Sequence, residues 1–369
     1  MNILIITTGL GMGGAENQIC SLADKLANNH NVVIINLSSQ SSIQITPKNK
    51  NITIHSYEIK KNFLSLILTP IKIIKYINEY SPHIIHSHMF HANILSRILK
   101  LFIRKTILVC TAHSKNEGGK LRMFLYRITD SLATISTNVS QEAVDSFIAK
   151  KATKKGRMIP FYNGIDMSTF CYKPIVRNIK RKEINISEKT SIILAVGRLT
   201  PAKDYSNLLY AFSRINTPTQ PKLVIIGDGE EKNSLLQLAD NLNISSNIIW
   251  LGQRYDVSEW MSACDIFVLS SAWEGFGLVV AEAMACERPV IGTNSGGVSE
   301  VINKHGFIIP PENPVALTAA IEKCLSLTNE ERYTIGLNAR NYIFDNFSLE
   351  KISQQWIDLY TYLIKKNEK

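Results

Sequence analysis

The chain has 369 residues, 45% of them hydrophobic and 20% charged, and it carries a formal net charge of +10. Its length exceeds that of one ordinary domain, and its composition is typical of a globular protein with sizeable cores. No run of residues reaches the ~18 apolar positions that a membrane-spanning helix needs. The N-terminus lacks the basic region of a secretory signal, so we expect a cytoplasmic protein.

Strand and helix patterns alternate along the whole chain. The predicted strands of the first half are NILIIT, HNVVIINL, HIIHSH, TILVCTA, LATIST and GRMIPFY. Those of the second half are SIILAVG, KLVIIGDG, NIIWLG, DIFVLSS, PVIGTN and GFIIP. Such alternation implies parallel sheets with helices on both faces. We therefore predict an α/β fold of two Rossmann-like, doubly wound domains facing a cleft, with ligands at the carboxyl ends of the strands.

Breaks in this pattern predict the domain boundaries. Residues 1–172 form the first predicted domain. Residues 173–189 are charged and poorly periodic, which is typical of a linker. The second predicted domain covers residues 190–347, and residues 348–369 are an amphipathic helix that begins at the N-cap residue Ser348.

The glycine stretch Gly9–Gly14 follows the first predicted strand and fits the pattern G-x-G-x-x-G of dinucleotide-binding enzymes. A nicotinamide site also requires an acidic residue about 20 positions further on, at the end of the second strand. The segment Val32–Ser42 has none, so a nicotinamide-dependent oxidoreductase is the least favoured function. Two interpretations remain: a loop whose backbone approaches a ligand at a helix N-terminus, or a tight strand-to-helix turn.

Two cations follow the first strand of the second half. Arg198 and Lys203 lie in a predicted loop that leads into a helix. Cations beside a helix N-terminus suit a diphosphate, because Arg bonds as a fork and Lys acts as a mobile point charge. The alternative is that both are ordinary surface residues.

A more specific pattern surrounds two carboxylates. Glu274 lies in a predicted loop with Gly275, Phe276 and Gly277, and a helix that begins at Leu278 contains Glu282. Loop glycines before a helix present backbone N–H groups to a sugar or a phosphate. Carboxylates accept hydrogen bonds, and vicinal diols supply two donors, so each Glu can bind one diol. Alternatively both are ordinary helix-end and surface residues, but the small apolar neighbours of Glu282 favour a carboxylate that needs a partner.

The excess positive charge lies in the first half of the chain. Residues 1–172 contain 20 Lys and Arg against 9 Asp and Glu, or +11, whereas residues 173–369 contain 21 and 22, or −1. The charge is either a solvated basic surface or an attraction for a membrane surface or a phosphate-bearing acceptor. Three segments mix basic with apolar residues, which favours a lipid surface over nucleic acid: KNFLSLILTPIKIIKYI, RILKLFIRK and KKATKKGR. No nucleic-acid-binding motif is visible in the sequence.

No residue spacing favours a metal site. The six cysteines are scattered, and we interpret them as small buried apolar residues. His86, His88 and His91 are two and three residues apart across a strand-to-helix junction, without an accompanying carboxylate. We interpret them as structural or acceptor-side residues, with a metal site as the less favoured alternative.

Taken together and in order, these segments resemble the retaining glycosyltransferases of the two-Rossmann-domain (GT-B) type, family 4. The resemblance covers nearly the whole chain. The segments that carry it are Gly13–Glu16, Asn163–Asp166, GRLTPAKD with Arg198 and Lys203, Ile226–Glu231, Leu251–Val257 and the E-x7-E signature Glu274–Glu282.

The resemblance implies a site for a nucleotide-diphosphate sugar, held mainly by the second domain. Glu282 would bind the ribose diol and Glu274 the donor sugar, while Arg198 and Lys203 would neutralise the leaving diphosphate without a metal ion. The amides of four residues would meet sugar and phosphate: Gly275, Phe276, Gly277 and Leu278. The backbone at Arg254 and Tyr255 would hold the base. From the first domain, Gly14 would approach the phosphates and His113 the donor sugar, and the C-terminal helix would return to that domain.

The expected function is a retaining glycosyltransferase that uses a UDP- or GDP-sugar and needs no cofactor. Its expected acceptor is a lipid-linked saccharide of bacterial surface polysaccharide or lipopolysaccharide biosynthesis, reached at the inner membrane through the basic first domain. Two alternatives share the double fold: a UDP-sugar epimerase, and a non-catalytic sugar-nucleotide-binding protein. An epimerase would change the sugar nucleotide without any acceptor.

Overall fold

A computed structural model describes residues 1–59, 62–103, 106–115, 117–218 and 220–368. The chain divides into two compact units. The N-terminal unit consists of Met1–Gly164 together with Leu349–Lys369, and the C-terminal unit is Ile165–Ser348. Each unit contains one parallel sheet, so the predicted pair of Rossmann-like domains is confirmed. None of the helices within the described ranges combines the length and the apolarity needed to cross a bilayer.

The N-terminal unit has a seven-stranded sheet in the order β3-β2-β1-β4-β5-β6-β7. Its strands are β1 (Asn2–Thr7), β2 (Asn31–Asn36), β3 (Thr53–Ser56), β4 (Ile84–His88), β5 (Ile107–Ala112), β6 (Ile135–Asn138) and β7 (Met158–Pro160). Its first helices are α1 (Gly14–Leu26), α2 (Phe63–Tyr80), α3 (Phe90–Leu99), α4 (Lys120–Thr129) and α5 (Gln141–Ala149). Parallel crossovers are right-handed, so α1, which leads towards β3, covers one face, whereas α2 to α5 lead towards β7 and cover the other.

The C-terminal unit has a six-stranded sheet in the order β10-β9-β8-β11-β12-β13. Its strands are β8 (Ile192–Val196), β9 (Lys222–Ile226), β10 (Ile248–Gly252), β11 (Ile266–Leu269), β12 (Val290–Thr293) and β13 (Phe307–Ile309). Its helices are α6 (Pro174–Glu183), α7 (Tyr205–Phe212), α8 (Lys232–Asn241), α9 (Val257–Ala263), α10 (Leu278–Ala285), α11 (Val298–Ile302), α12 (Pro314–Ser326) and α13 (Asn329–Phe347). β8 pairs with both β9 and β11, so the loops that follow these three strands lie at one edge of the sheet.

The predicted linker at residues 173–189 is wrong, because most of it is helix α6. Arg177 donates to Asp265 Oδ1 at 2.7 Å, and Arg181, only 1% exposed, pairs with Asp265 Oδ2 at 3.2 Å. Positions four apart lie on one helical face, so charges that suggested a solvated connection instead fix α6 to the sheet of its own unit. The units divide after Gly164, and not after residue 172 as predicted.

The last helix, α14 (Leu349–Asn367), belongs to the N-terminal unit. It packs against α1, and Lys25 pairs with Glu350 at 2.5 Å. Trp356 and Tyr360 are buried in the core that α1 forms with the sheet. The N-terminal unit is therefore formed from two segments of the chain, one before and one after the C-terminal unit.

Candidate functional site

Two loops at the carboxyl edge of the second sheet bring Lys203 and Glu274 together. Lys203 follows β8, Glu274 follows β11, and their side chains form an ion pair in which Lys203 is 22% and Glu274 12% exposed. Ser271 Oγ donates to Glu274 Oε1 at 3.0 Å, and Ser270 Oγ donates to the carbonyl of Lys203 at 3.0 Å. The structure thus joins one of the two predicted cations to one of the two predicted carboxylates.

The loop of Glu274 is held against the segment before α11. Gly296 has φ +60, and a Cβ built on it would lie 2.3 Å from the carbonyl oxygen of Glu274. Gly297 N donates to Gly275 O at 2.9 Å. Gly277, at φ +84, is the N-cap of α10, so the loop turns directly into the helix. These contacts fix where the backbone amides before α10 point, and helix N-terminal amides favour anions.

Glu282 lies on α10 between the buried residues Ala281 and Ala283. Burial raises the pKa of its carboxyl to about 7. Among the described residues, no side chain or backbone group donates a hydrogen bond to this carboxylate. A partly buried carboxylate with no donor is costly, so this position favours a ligand that supplies hydroxyl donors.

The loop after β8 is anchored by the loop after β9. Leu199 N donates to Asp228 O at 3.0 Å, and Glu231 N donates to Leu199 O at 3.1 Å. Burial, and then the nearby Glu274, raise the pKa of Tyr205, whose hydroxyl donates to Gly197 O at 3.1 Å. Arg198 lies in this anchored loop with an exposed side chain.

Arg254 and Tyr255 follow β10 and differ in environment. Arg254 Nη2 pairs with Asp256 Oδ2 at 2.6 Å and with Glu183 at 3.1 Å, and its hydrogen bond to Asp256 raises its pKa. Lys180 of α6 also pairs with Asp256, at 2.5 Å. The Arg254 side chain is thus committed to its own unit, while Tyr255 is 84% exposed. No local sequence pattern predicts this ion-pair network, because the charged and poorly periodic segment of α6 resembles a linker.

The N-terminal unit holds the two remaining predicted site residues. Gly14 is exposed and begins α1. His113 follows β5; its backbone N donates to Glu117 at 2.9 Å, and its Nε2 lies 3.1 Å from Nδ1 of His88. Burial lowers the pKa of His113 to about 4, so the ring is neutral at neutral pH.

The other histidines have separate surroundings. His86 is buried, with Nδ1 2.6 Å from the Tyr360 hydroxyl and Nε2 2.7 Å from Thr111 Oγ1. His91 is exposed on α3. Within the described ranges, no three His, Cys, Asp or Glu side chains are grouped to hold a metal ion. The sequence pattern missed the contact of His113 with His88, which depends on how β4 and β5 pair, and the local hydrogen bond from His113 N to Glu117.

Two Rossmann-like units, one of them with an acidic loop and helix at its carboxyl edge, define the class of GT-B glycosyltransferases. Two family models match: "Glycosyltransferase Family 4" over residues 12–169 and "Glycosyl transferases group 1" over residues 176–342. The chain belongs to glycosyltransferase family 4.

Relatives and solved structures agree with this class. The chain is 34% identical over 201 residues to an N-acetyl-alpha-D-glucosaminyl L-malate synthase of Bacillus anthracis. This match covers 54% of the chain and 52% of that protein, so the chain spans about half the length of this relative. It is 26% identical to an N-acetylgalactosamine-N,N'-diacetylbacillosaminyl-diphospho-undecaprenol 4-alpha-N-acetylgalactosaminyltransferase of Campylobacter jejuni, over 87% of this chain and 89% of that one. The fold matches Anabaena Alr3699/HepE, solved in complex with UDP, with a TM-score of 0.85, 22% identity, and coverage of 98% and 100%.

Proposed function

We propose that the protein is a retaining glycosyltransferase that moves a sugar from a UDP- or GDP-sugar to a hydroxyl of a lipid-linked saccharide in the synthesis of a bacterial surface polysaccharide or lipopolysaccharide. One observation carries the proposal. Lys203, which follows β8, forms an ion pair with Glu274, which follows β11, at the same edge of the sheet. The next helix, α10, carries the carboxylate of Glu282, to which no described group donates. Cation, acceptor groups and helix amides are thus available to one phosphorylated sugar.

Donor recognition uses the difference between the two carboxylates. Glu282 accepts both hydroxyls of the ribose diol, since no described donor of the chain occupies it. Glu274, oriented by Ser271, accepts from the hydroxyls of the transferred sugar. The amides from Gly275 to Leu278 face sugar and phosphate at the start of α10, where the helix dipole favours negative charge. The backbone at Arg254 and Tyr255 contacts the base; the Anabaena complex with UDP supports uracil as that base.

Leaving-group stabilisation is assigned to Lys203 and Arg198. Cleavage of the anomeric C–O bond leaves both bonding electrons on the diphosphate, while the anomeric carbon becomes cation-like. Charge that develops on the departing group is stabilised by positioned cations. Lys203 already lies beside Glu274, and Arg198 projects from the same anchored loop with its guanidinium exposed. In this scheme the two side chains supply the positive charge, and no metal ion is needed.

Retention follows if the acceptor hydroxyl attacks from the face that the diphosphate leaves. The hydroxyl oxygen forms the new bond to the anomeric carbon, and its proton passes to the departing phosphate oxygen. A pair of carboxylates on either side of the bond, as in glycoside hydrolases, is not required. His113, neutral because burial lowers its pKa, is suited to a hydrogen bond with the donor sugar.

The acceptor is assigned to the N-terminal unit and to a membrane surface. The Campylobacter relative is named for a diphospho-undecaprenol saccharide. Residues 1–172 carry a net charge of +11, with 20 basic against 9 acidic residues, which favours association with anionic lipid or a diphosphate. We therefore place the protein at the cytoplasmic face of the inner membrane, as a peripheral enzyme.

Thermal unfolding with a panel of nucleotides tests the donor assignment. UDP or GDP, and one of their sugar derivatives, should raise the melting temperature. At a hundred times its Kd, a bound ligand adds about 2.7 kcal/mol to the free energy of unfolding. The selected donor is then incubated with and without a lipid-linked saccharide. A new glycoside with the same anomeric configuration as the selected donor supports retention, and the opposite configuration contradicts it. Sugar interconversion without an acceptor would identify an epimerase instead, and no stabilisation by any nucleotide sugar would contradict the proposal.

A further inference from the structure

Half of the large apolar side chains that are exposed in the described parts of the chain lie between Phe63 and Ile128. They belong to α2, to the end of α3 with the turn that follows it, and to α4. They are Phe63, Leu64, Leu66, Ile67, Leu68, Ile71, Ile98, Leu101, Phe102, Leu121, Phe124 and Ile128. We call them the outer apolar surface. A cluster of this extent on one sheet face is unusual for a domain surrounded by water alone.

Helix α2 exposes apolar side chains on its outward side, where polar residues are expected. Its buried residues are Thr69, Ile73 and Ile77, which face the sheet. The opposite side should be polar in a helix that covers a water-soluble domain. Instead its first turns are apolar on the outside, with Phe63 79% and Leu64 67% exposed.

Helix α4 has the same arrangement. Met123 and Tyr126 are buried inside the unit. Leu121, Phe124 and Ile128 are exposed at spacings of three and four residues, so they form one outward stripe. The apolar exposure of α2 is therefore repeated on a second helix.

The helices share one side of the sheet. α2, α3 and α4 all belong to right-handed crossovers that lead towards β7, and α3 contacts both α2 and α4. Ile98, Leu101 and Phe102, at the end of α3, are exposed between them. The outward stripes thus belong to one face of the N-terminal unit, opposite the face covered by α1 and α14.

Basic residues border this apolar face. Lys72 and Lys75 continue α2, and Lys120 and Arg127 border the stripe of α4. Over Phe63–Tyr80, Phe90–Leu99 and Lys120–Thr129, all of them described, Glu79 is the one carboxylate. Of the mixed segments found in the sequence, Lys61, Arg104 and Lys105 lie outside the described residues.

We propose that the outer apolar surface is where the N-terminal unit enters the headgroup region of an anionic lipid bilayer. Exposed aliphatic and aromatic side chains with bordering Lys and Arg are the combination that binds such an interface. A second copy of the chain is a poorer occupant, because face-to-face contact would bring the same four cations together. The inference rests on the proposed function for its purpose, since it places the acceptor side at the lipid.

Vesicle co-sedimentation with a matched pair of variants tests the surface. Ile67→Ser with Ile71→Ser removes two exposed Ile four residues apart on α2, and Ile175→Ser with Ile179→Ser removes an equivalent exposed pair on α6. With phosphatidylglycerol–phosphatidylcholine vesicles, the α2 variant should bind about tenfold more weakly or worse, and the α6 variant like wild type. Lys72→Gln should weaken binding about fivefold, an effect that salt reduces.

The outcomes separate this surface from the donor site. Equal binding by the α2 variant and wild type, or no binding of wild type to anionic vesicles, overturns the surface even if nucleotide stabilisation and transfer are intact. Conversely, vesicle binding that the α2 variant loses supports the surface even if no nucleotide sugar stabilises the protein. A wild-type dimer that the α2 variant converts to monomer in sedimentation velocity would assign the surface to a second copy and overturn the lipid assignment. Unchanged melting temperatures of both variants serve as the folding control.

Discussion

Replacing Glu282 by Gln should stabilise the protein while weakening its binding of the donor. Burial raises the pKa of Glu282 from 4.5 to about 7. A tenfold change in a protonation equilibrium corresponds to about 1.4 kcal/mol, so an ionised Glu282 lowers the free energy of unfolding by up to about 3 kcal/mol. Glutamine occupies nearly the same space and carries no charge.

The sign of this effect depends on pH. Below pH 4.5 the carboxyl is protonated in the folded and the unfolded chain, so wild type and Glu282→Gln should be equally stable. As the pH rises from 4.5 to about 7, the unfolded chain releases the proton first, and wild type loses stability relative to the variant. Above that range the difference is constant.

Thermal unfolding with and without UDP measures both effects on the same samples. Without nucleotide, Glu282→Gln should melt higher than wild type above neutral pH. With nucleotide, its stabilisation should be smaller, because the amide replaces one acceptor oxygen by an NH2 donor and its remaining oxygen is uncharged. A hydrogen bond to a charged group contributes about 1.5–3 kcal/mol, which corresponds to about ten- to hundredfold in Kd. Glu312→Gln, at an exposed carboxylate, is the control and should change neither quantity.

Two results would refute this reasoning. If Glu282→Gln is less stable than wild type at every pH, the carboxylate has a stabilising partner within the protein and its pKa is not raised. If the nucleotide stabilises variant and wild type equally, Glu282 does not contact the ribose. A variant that is merely misfolded would lower both melting temperatures, which differs from the predicted opposite changes.

Three further substitutions test the surroundings of this carboxylate. Lys203→Met should reduce kcat about hundredfold in a transfer assay, because it removes the positive charge that stabilises the leaving diphosphate. The control Lys232→Met, at an exposed ion pair, should leave kcat unchanged. Gly296→Ala should displace the Glu274 loop and cost about 1–3 kcal/mol in denaturant unfolding, because its Cβ would lie 2.3 Å from a carbonyl oxygen at φ +60; a normal melt and Kd would contradict this. Arg181→Ala should cost about 3 kcal/mol or more by leaving Asp265 partly unpaired, and a change below 1 kcal/mol would show that α6 is not anchored there.

Most of the fold could be predicted because its strands are short, continuous apolar runs. The helix predicted to begin at Leu278 begins there, and the predicted loop of Arg198 and Lys203 leads into α7 at Tyr205. Each start follows a buried strand and a polar or glycine-containing turn, a boundary that local sequence specifies. The edge strand β3 (Thr53–Ser56) was missed, since its residues are only partly buried and its pattern is weak.

Helix α6 shows where local patterns fail. Its sequence PIVRNIKRKE has few apolar residues, so the pattern predicts a linker there instead of a helix. Its helical face is nevertheless specified, by Arg177, Lys180 and Arg181 at spacings of three and four. Their partners Asp256 and Asp265 come more than seventy residues later, and no local pattern reveals such a pairing.

The candidate site was predictable in position but not in its internal contacts. Strand-end loops of a parallel sheet meet at one edge, which places Lys203 and Glu274 near each other. Their direct ion pair, and the orientation of Glu274 by Ser271, are properties of side-chain packing. The fit of Gly296 against the Glu274 carbonyl likewise joins two loops that only the folded chain brings into contact.

The two carboxylates of this site have opposite electrostatic surroundings, which assigns them different tasks. Glu274 has a cation and a hydroxyl as partners, so it is already oriented. Glu282 has no described donor, and burial raises its pKa to about 7. A ligand that donates two hydroxyl groups to Glu282 should offset the free-energy cost of ionising this carboxyl. Part of the binding free energy should therefore depend on a vicinal diol in the ligand. If Glu282 binds the ribose as proposed, the protein should select a ribonucleotide over its 2′-deoxy counterpart, because one missing hydroxyl leaves the partly buried charge with a single donor.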